Sequence, residues 1–516
     1  MCDDGAGCGR SADEHRAGRG AGPGADGPGH GRRRARRSSR LPRRPDARTR
    51  DRRALLPYGR HGRLSIRSPF PARDAALDTR LQVERGRRLD RAFDEVVEGL
   101  ELRDRRLARQ IAWGTTRARG RLDHLIAARS KRPVAELDPP VREILRTGLY
   151  QALHLNSVPE YAAVSVAVAL ARKRTTAGAT RFVNGVLRSV LRIPNPEELF
   201  PSWQDDPVGH LSTSGSHPRW LVARWCARWG AETARDLVTV ANRPPPTCLV
   251  PLDGDLERAG NRLAGLVPPR DGIAGTPRSR PEPEQARHPD PTLFGCVPLP
   301  AGVAPDAALE AVGDAVIQGP GAHSAVRYAD LPADGRIVDL CAAPGGKALV
   351  LAAGGGRVVA LDRSPSRLQL VAAGARRLGL EVRCAVADAR RPPLNRSPAV
   401  LLDAPCTGTA TFARNPDLRW RLRPDAPARM AAFQADFLAA AARAVTLGGL
   451  LVYSTCTLEP EENELQVAAF LTKHPDFRLE PPAHEAARQA AESHLLVRPD
   501  QTGVDGAFAA RFRRRP

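Results

Sequence analysis

The sequence lacks the patterns that mark a metal protein, a disulfide scaffold or a membrane-spanning chain. Its nine cysteines (Cys2, Cys8, Cys226, Cys248, Cys296, Cys341, Cys384, Cys406 and Cys456) form no Cys-x-x-Cys. No two histidines stand at zinc spacing either, so no metal is expected. An odd cysteine count without a secretory signal reads as reduced thiols, and a cytoplasmic location is expected. No apolar run reaches the ~18 residues that a membrane span needs. Positive charge is what the chain has in excess. Lys+Arg is 79 against Asp+Glu 57 in 516 residues, a formal +22 with a pI near 10.8. Such a balance suits a polyanion such as nucleic acid, or an anionic surface. Hydrophobic residues make up 42%, enough for several cores at ~150 residues per domain.

The charge is uneven. Residues 1–72 hold 18 Arg and seven acidic residues, with ten Gly in the first 31 positions. Such a segment cannot bury enough surface to offset chain entropy, which predicts a disordered basic arm over 1–72. No apolar h-region follows Met1, and Asp3, Asp4, Asp13 and Glu14 fit a transit peptide poorly. A start codon placed upstream of the true one would give the same composition.

From Asp74 to about Ile193 apolar residues recur at helical spacing: Leu81, Leu89, Phe93, Val96, then Leu107, Ile111, Leu122, Leu125, then Val141, Ile144, Leu145, Leu149. Asp138-Pro139-Pro140 reads as a helix start. A helical bundle is expected over 73–193. Pro194, Pro196, Pro201 and Pro207 predict a linker over 194–215. Residues 216–310 open with Ser216-His217-Pro218-Arg219-Trp220 and an amphipathic helix, and are expected to form a small α+β domain. Over 311–516 five short apolar runs alternate with helices: Ile337–Leu340, Val358–Leu361, Val382–Val386, Ala399–Leu402 and Leu450–Tyr453. That alternation predicts an α/β, Rossmann-like, mostly parallel sheet, whose ligands sit at the carboxyl ends of the strands.

The residues after each run carry the chemistry. The first leads into Asp339-Leu340-Cys341-Ala342-Ala343-Pro344-Gly345-Gly346-Lys347. A glycine-rich turn between strand and helix lets backbone approach a ligand, and the helix N-terminus favours an anion. It is neither Gly-x-Gly-x-x-Gly nor a phosphate-binding loop ending in Gly-Lys-Ser/Thr. Asp362 ends the second run, placed to accept both hydroxyls of a ribose, and Asp388 follows the third, placed to meet an adenine edge. A helix N-cap is the plain structural alternative for either Asp. The fourth run ends in Asp403-Ala404-Pro405-Cys406 and the fifth in Ser454-Thr455-Cys456-Thr457, so two cysteines converge at one sheet edge. A lone Cys there would be a small buried hydrophobe.

These motifs resemble the RNA cytosine-C5 methyltransferases. The resemblance is carried by Asp339 to Lys347, by Asp403-Ala-Pro-Cys406-Thr-Gly-Thr with Arg414-Asn-Pro-Asp417, and by Tyr453-Ser-Thr-Cys456-Thr-Leu-Glu-Pro-Glu-Glu-Asn463. In the helical part, Leu145 to Gln151 and Val183 to Arg188 resemble the NusB-like domain of the family's bacterial 16S rRNA branch. The resemblance covers about 74–516. It implies a NusB-like RNA-binding bundle, a small α+β domain and a class I methyltransferase domain. It implies Cys456 as nucleophile, Cys406 as the residue assisting product release, and Asp403 hydrogen-bonding N3 of the base. S-adenosylmethionine contacts are implied at Cys341, Ala342, Ala343, Pro344, Gly345, Gly346, Lys347, Asp362, Asp388 and Asp403. Lys347 either pairs with the cofactor carboxylate or orients an acid. The implied partner is RNA, 16S rRNA first, with no DNA, no membrane and a monomeric protein.

Four positions depart from the family pattern. Ala410 stands where a Gly is usual, Ala507 where an aromatic is usual, Gln318-Gly319 where Gln-Asp is usual, and Leu249-Val250-Pro251 where Arg-Val-Asn is usual. A tRNA cytosine methyltransferase is the near alternative. An amine-directed methyltransferase would show Asn/Asp-Pro-Pro-Tyr/Phe after the fourth strand, and a DNA cytosine enzyme would rely on the Pro-Cys there alone. A non-catalytic RNA-binding factor would have lost Asp403 or a cysteine.

Overall fold

The computed structural model describes residues 69–267, 291–393, 395–482 and 493–516. The expected arm, over residues 1–68, lies outside them. The helical periodicity of the first half folds into α1 (Pro71–Glu84), α2 (Leu89–Val96), α3 (Leu102–Arg117), α4 (Arg119–Ala127), α5 (Pro139–His154), α6 (Glu160–Arg174) and α7 (Ala177–Leu191). Leu122, Leu125, Ile144, Leu145, Leu149, Val183 and Leu187 share one buried core, and Leu89, Phe93, Ile111 and Trp113 a second. Helix α1 opens at Pro71, inside the stretch assigned to the arm, because proline's fixed φ suits the first helical position, where its missing N–H would be unpaired anyway.

Between these cores runs a buried ion network. Glu143 is wholly buried and accepts from Arg80 Nε at 2.8 Å and from Arg146, whose guanidinium also grips Asp123 at 2.7 Å. Burial alone would raise the Glu143 carboxyl; the two arginines outweigh it and hold it down to about 2. Glu143→Gln should therefore cost about 3–5 kcal/mol, since buried Arg80 loses its acidic partner while Arg146 keeps Asp123 and Glu84. A carboxyl with a lowered pKa contributes stability above its ordinary 4.5, lost as pH falls toward about 2. Urea denaturation of the variant should show that acid-side slope flattened as well as the midpoint lowered.

The prolines of 194–215 open helical turns instead of an extended linker. A 3₁₀ turn spans Pro196–Leu199, Leu199 O meets His124 Nε2 at 2.8 Å, and Phe200 is buried in the bundle core. Helix α8 (Pro207–Thr213) starts on a proline and is capped by Asp206, whose carboxylate accepts the Gly209 N–H at 2.7 Å.

The small domain extends past the expected boundary at 310. Helices α9 (Arg219–Trp229) and α10 (Ala231–Ala241) precede β1 (Cys248–Pro251), α11 (Leu256–Ala264), β2 (Val297–Pro298), α12 (Pro305–Val312) and β3 (Ala315–Ile317). The strands form an antiparallel sheet in the order β2-β1-β3. Strand β3 belongs to this sheet because Ala315 and Ile317 close its core with Leu249 and Val297. Helices α9 and α10 pack instead on Ala410, Phe412 and Leu458 of the last domain.

That domain continues as α13 (Pro320–Ala329), β4 (Arg336–Asp339), α14 (Gly346–Ala353), β5 (Arg357–Asp362), α15 (Pro365–Arg377), β6 (Val382–Val386), β7 (Ser397–Asp403), α16 (Leu418–Arg421), α17 (Ala426–Ala444), β8 (Val445–Thr455), α18 (Glu464–Lys473), β9 (Phe477–Leu479), β10 (His494–Val497) and β11 (Ala507–Arg514). Its sheet runs β10-β11-β8-β7-β4-β5-β6, with β9 also on β11. Strands β4 to β8 are parallel, and β11 returns antiparallel to β8. The five apolar runs are therefore the five parallel strands, and the Rossmann-like expectation holds. The four inner ones are rich in apolar residues because helices cover both faces: α17 and α18 over Leu340, Val400 and Leu402, and α13 to α15 over Ile337, Ala360 and Val452. Strand β6, at the sheet edge, is largely exposed. The expected alternation breaks once. Among the described residues no helix joins β6 to β7, where Pro392 and Pro393 oppose one. No helix among the described residues is long and apolar enough to cross a membrane.

Candidate active site

The parallel sheet brings Asp339, Asp362, Asp403 and, just past the ends of β6, β7 and β8, Asp388, Cys406 and Cys456 to the carboxyl ends of its strands. Strand β4 turns into α14 through Cys341 to Gly345. The Cys341 N–H bonds Asp339 Oδ1 at 3.2 Å, Ala342 N–H bonds Leu361 O at 2.8 Å, and Ala343 N–H bonds Asp362 Oδ2 at 3.2 Å. Gly345 takes φ +117°, and a Cβ there would stand 3.2 Å from the Val371 backbone, so the turn requires glycine. No side chain caps α14, leaving its first N–H groups for a ligand. Gln318, which the sequence reading noted but gave no site role, lies beside this turn. A Cβ on Gly346 would come within 3.3 Å of its Nε2, and its Oε1 is held by His323 Nδ1 at 3.1 Å. Burial, then the charge of Arg327, pushes the His323 imidazole down to about 4, so it is neutral there.

Neither outer aspartate is a helix cap. Asp362 also accepts the Ser364 N–H at 2.8 Å, while Ser364 itself caps α15. Asp388 bonds the Arg390 backbone N–H at 3.0 Å and pairs with the Arg390 guanidinium at 2.6 Å, which holds its carboxyl down to about 2. Asp339 is buried, and its Oδ2 has no hydrogen-bond partner among the described residues. Burial, then the neighbouring Asp403, pushes its carboxyl up to about 7.

Lys347 is placed against an acid. Its Nζ stands 2.6 Å from Asp403 Oδ2, and the Ser454 hydroxyl donates to Asp403 Oδ1 at 2.7 Å. Burial alone would lower the Lys347 ammonium, but Asp403, with Cys456 and Asp339 behind it, raises it. Both oxygens of Asp403 thus accept from neighbours.

The two thiols meet. Cys406 Sγ and Cys456 Sγ are 3.2 Å apart, and the Cys456 N–H points to Cys406 Sγ at 3.3 Å. Both are partly exposed. The bond to Cys456, then burial, raises the Cys406 thiol well above its ordinary range, so Cys406 keeps its proton. Burial and the surrounding carboxylates likewise push Cys341 up, which leaves it inert. Glu462, buried and absent from the expected site, ties the two cysteine loops together. Its carboxyl accepts the Thr407 N–H at 2.9 Å and Gln434 Nε2 at 2.9 Å, and reaches the Thr407 hydroxyl, which bonds Thr457 Oγ1 at 2.8 Å. The signal was present in the Tyr453 to Asn463 run, but nothing in the run says which acid turns inward. At the departing positions, the Ala410 methyl packs on Gly506, and Leu249 to Pro251 form the buried central strand β1.

The chain matches the NusB family over residues 71–192 and the 16S rRNA methyltransferase RsmB/F family over 328–513. It is 35% identical over 444 residues to the ribosomal RNA small subunit methyltransferase B of Thermus thermophilus, covering 86% of this chain and 97% of that protein. It is 31% identical to a probable ribosomal RNA small subunit methyltransferase B of Bacillus subtilis, covering 86% and 98%. The crystal structure of PH0851 superposes with a TM-score of 0.67 at 25% identity, covering 86% of this chain and 99% of that one. The chain therefore belongs to the RsmB/F family of 16S rRNA methyltransferases and takes S-adenosylmethionine as its methyl donor.

Proposed function

We propose that the chain methylates C5 of a cytosine in 16S rRNA through a transient bond between Cys456 Sγ and C6 of the base. The meeting of two partly exposed thiols 3.2 Å apart beside the Lys347–Asp403 pair carries this reading. Cytosine C5 is too weak a nucleophile to take a methyl group unaided. A thiolate adding to C6 makes an enamine whose C5 can attack. Negative charge building toward N3 is offset by the Lys347–Asp403 pair, in which the ammonium is the proton source and the carboxylate orients it. After transfer a base, solvent water, takes the C5 proton, and the C–H electron pair re-forms the C5–C6 double bond. The C6–S bond breaks with its pair on Cys456 Sγ, and the N3 proton returns to Lys347. The Cys406 S–H then stabilises the departing Cys456 thiolate.

S-adenosylmethionine, when bound, supplies an electrophilic methyl group. The residues suit it: the Cys341 to Lys347 turn and the uncapped start of α14 for its carboxylate, Asp339 Oδ2 for its ammonium, Asp362 for the ribose hydroxyls and Asp388 for the adenine edge. Asp362→Ala should weaken cofactor binding by ~1–3 kcal/mol, since acceptors are removed from a charged hydrogen-bonded site. Unchanged affinity by calorimetry would reject the ribose assignment. Bisulfite sequencing of rRNA and tRNA from a deletion strain tests the function itself. One 16S cytosine should lose its methyl group and regain it on complementation. An intact 16S map with a lost tRNA site would establish the tRNA reading instead.

A further inference from the structure

Helix α3 reads Leu-Arg-Asp-Arg-Arg-Leu-Ala-Arg-Gln-Ile-Ala-Trp-Gly-Thr-Thr-Arg. At helical spacing, Arg105, Arg106, Arg109, Trp113 and Arg117 share one arc, beside the buried arc of Ala108, Ile111, Ala112 and Thr115. Arg105, Arg106 and Arg109 are exposed, and among the described residues none forms an ion pair. Elsewhere the arginines are commonly spent on acids: Arg80 and Arg146 on Glu143, Arg224 on Glu459 and Glu461, Arg513 on Glu480. Its hydrogen-bond and ring contacts are to neutral groups. Arg106 donates to Gly302 O of the small domain at 3.0 Å, and the Arg109 guanidinium lies 4.2 Å from the Trp113 ring centroid.

The arc ends at the active-site segment. Arg117 donates to Ala413 O at 2.8 Å, seven residues beyond Cys406, and the next residue, Arg414, is anchored to Asp505 at 2.8 Å. Trp420 Nε1 donates to Thr116 O at 3.0 Å, and Asp417 accepts the first N–H of α2, from Leu89, at 3.3 Å. The orientation of α3 to the segment after Cys406 is thereby fixed. Burial lowers the Arg109 guanidinium, Asp94 offsets part of this, and the like charges of Arg105 and Arg414 lower it further. Arg105, Arg117 and Arg414 thus all lie close enough to Arg109 to repel it, with Asp94 and Asp505 the opposing acids.

We propose that the face Arg105–Arg106–Arg109, continued by Arg117 and Arg414, is the track on which the RNA strand flanking the target base lies, its phosphates on the guanidiniums. The inference rests on the RNA methyltransferase reading and adds which surface holds the substrate. Guanidinium forks bind phosphate through paired N–H groups, and arginines pre-positioned by stacking or by a backbone carbonyl lose little freedom in doing so. A strand held there enters the site along the segment that carries Cys406.

The test uses the full chain and a fluorescein-labelled single-stranded fragment of 16S rRNA, with anisotropy read at several salt concentrations. R105Q/R106Q/R109Q should weaken binding about 10- to 100-fold near physiological salt and reduce the salt slope by about 2, the value for three lost single-strand phosphate contacts. Cofactor affinity and the melting temperature serve as controls for folding. R129Q/K131Q/R132Q removes three exposed charges from the loop after α4, and should leave RNA binding within a few-fold of the parent. Equal losses in both triples would show diffuse charge without a track, and overturn the proposal. So would parent-like binding by the α3 triple. An α3 triple that binds RNA normally but loses an acidic protein from pull-downs would reassign the face to a protein partner. Failure of the parent itself to bind the 16S fragment would overturn the proposed 16S rRNA substrate, and the track with it.

Discussion

Replacing Cys456 by alanine should abolish both methyl transfer and covalent capture of RNA. Cys406→Ala should instead leave a protein–RNA adduct that survives denaturing electrophoresis. The two sulfurs are 3.2 Å apart at the ends of neighbouring strands, and either can be the donor in that contact, so position alone does not separate them. The bond to Cys456, then burial, raises the Cys406 thiol well above its ordinary range, which makes Cys406 a poor thiolate and favours the proposed assignment of attack to Cys456. Without Cys456 no bond to C6 forms. Without the Cys406 S–H, attack and methyl transfer proceed, but departure of the Cys456 sulfur loses its hydrogen-bond donor and the adduct accumulates. Two structural thiols would predict modest stability losses and normal turnover in both variants. An adduct in Cys456→Ala and none in Cys406→Ala would reverse the roles.

Lys347→Met should lower kcat by about 10²–10³-fold while the protein still folds, the equivalent of ~3–4 kcal/mol of transition-state stabilisation. Only four of the chain's 79 basic residues are lysine, and one of them stands here, where a compact ammonium fits between Asp339 and Asp403 and a guanidinium would be larger. Removing it leaves two carboxylates with no cation between them. Asp339, already pushed up to about 7 by burial and Asp403, with Lys347 as the lowering influence, should rise further. A carboxyl with a raised pKa is protonated below it. In the parent, affinity for the cofactor's ammonium should therefore increase as pH rises through about 7. In Lys347→Met that rise should move to higher pH. A variant with parent kcat and an unmoved profile would make the ion pair purely structural.

Much of this protein was legible in its linear pattern. Four of the five parallel strands were readable because both their faces are covered, so they are rich in Val, Leu, Ile and Ala. The edge strand Val382–Val386 is largely exposed and keeps Arg383 among its apolar residues. The seven-helix bundle was readable because its apolar residues repeat at 3.6. That Asp403-Cys406 and Ser454-Cys456 end neighbouring strands follows from the parallel order, and their approach follows from the register that sets Asp403 opposite Ser454.

Other features gave no such signal. No strand is expected from the sequence at Ala507–Arg514, yet Ala507 to Phe512 are all buried once β8, β9 and β10 flank it. Prolines at 196 and 207 look like breakers, but whether a proline interrupts or opens a helix depends on the residues that follow and on what covers them. Arg419 sits in a run of arginines that reads as surface. It is wholly buried, donating to Ser216 O, Ala241 O and Asn242 Oδ1 across the small-domain boundary, and that burial pushes its guanidinium down to about 9.

The division has a physical cause. Period, turn chemistry and strand-end residues are local properties, written in neighbouring positions, and they determined the fold class, the order of domains and the residues worth testing. Which acid Lys347 grips, which carboxyl ties the cysteine loops and which arginines remain unpaired depend on partners 50 to more than 300 positions away. Those contacts arise when separate elements pack, and only the tertiary structure decided them.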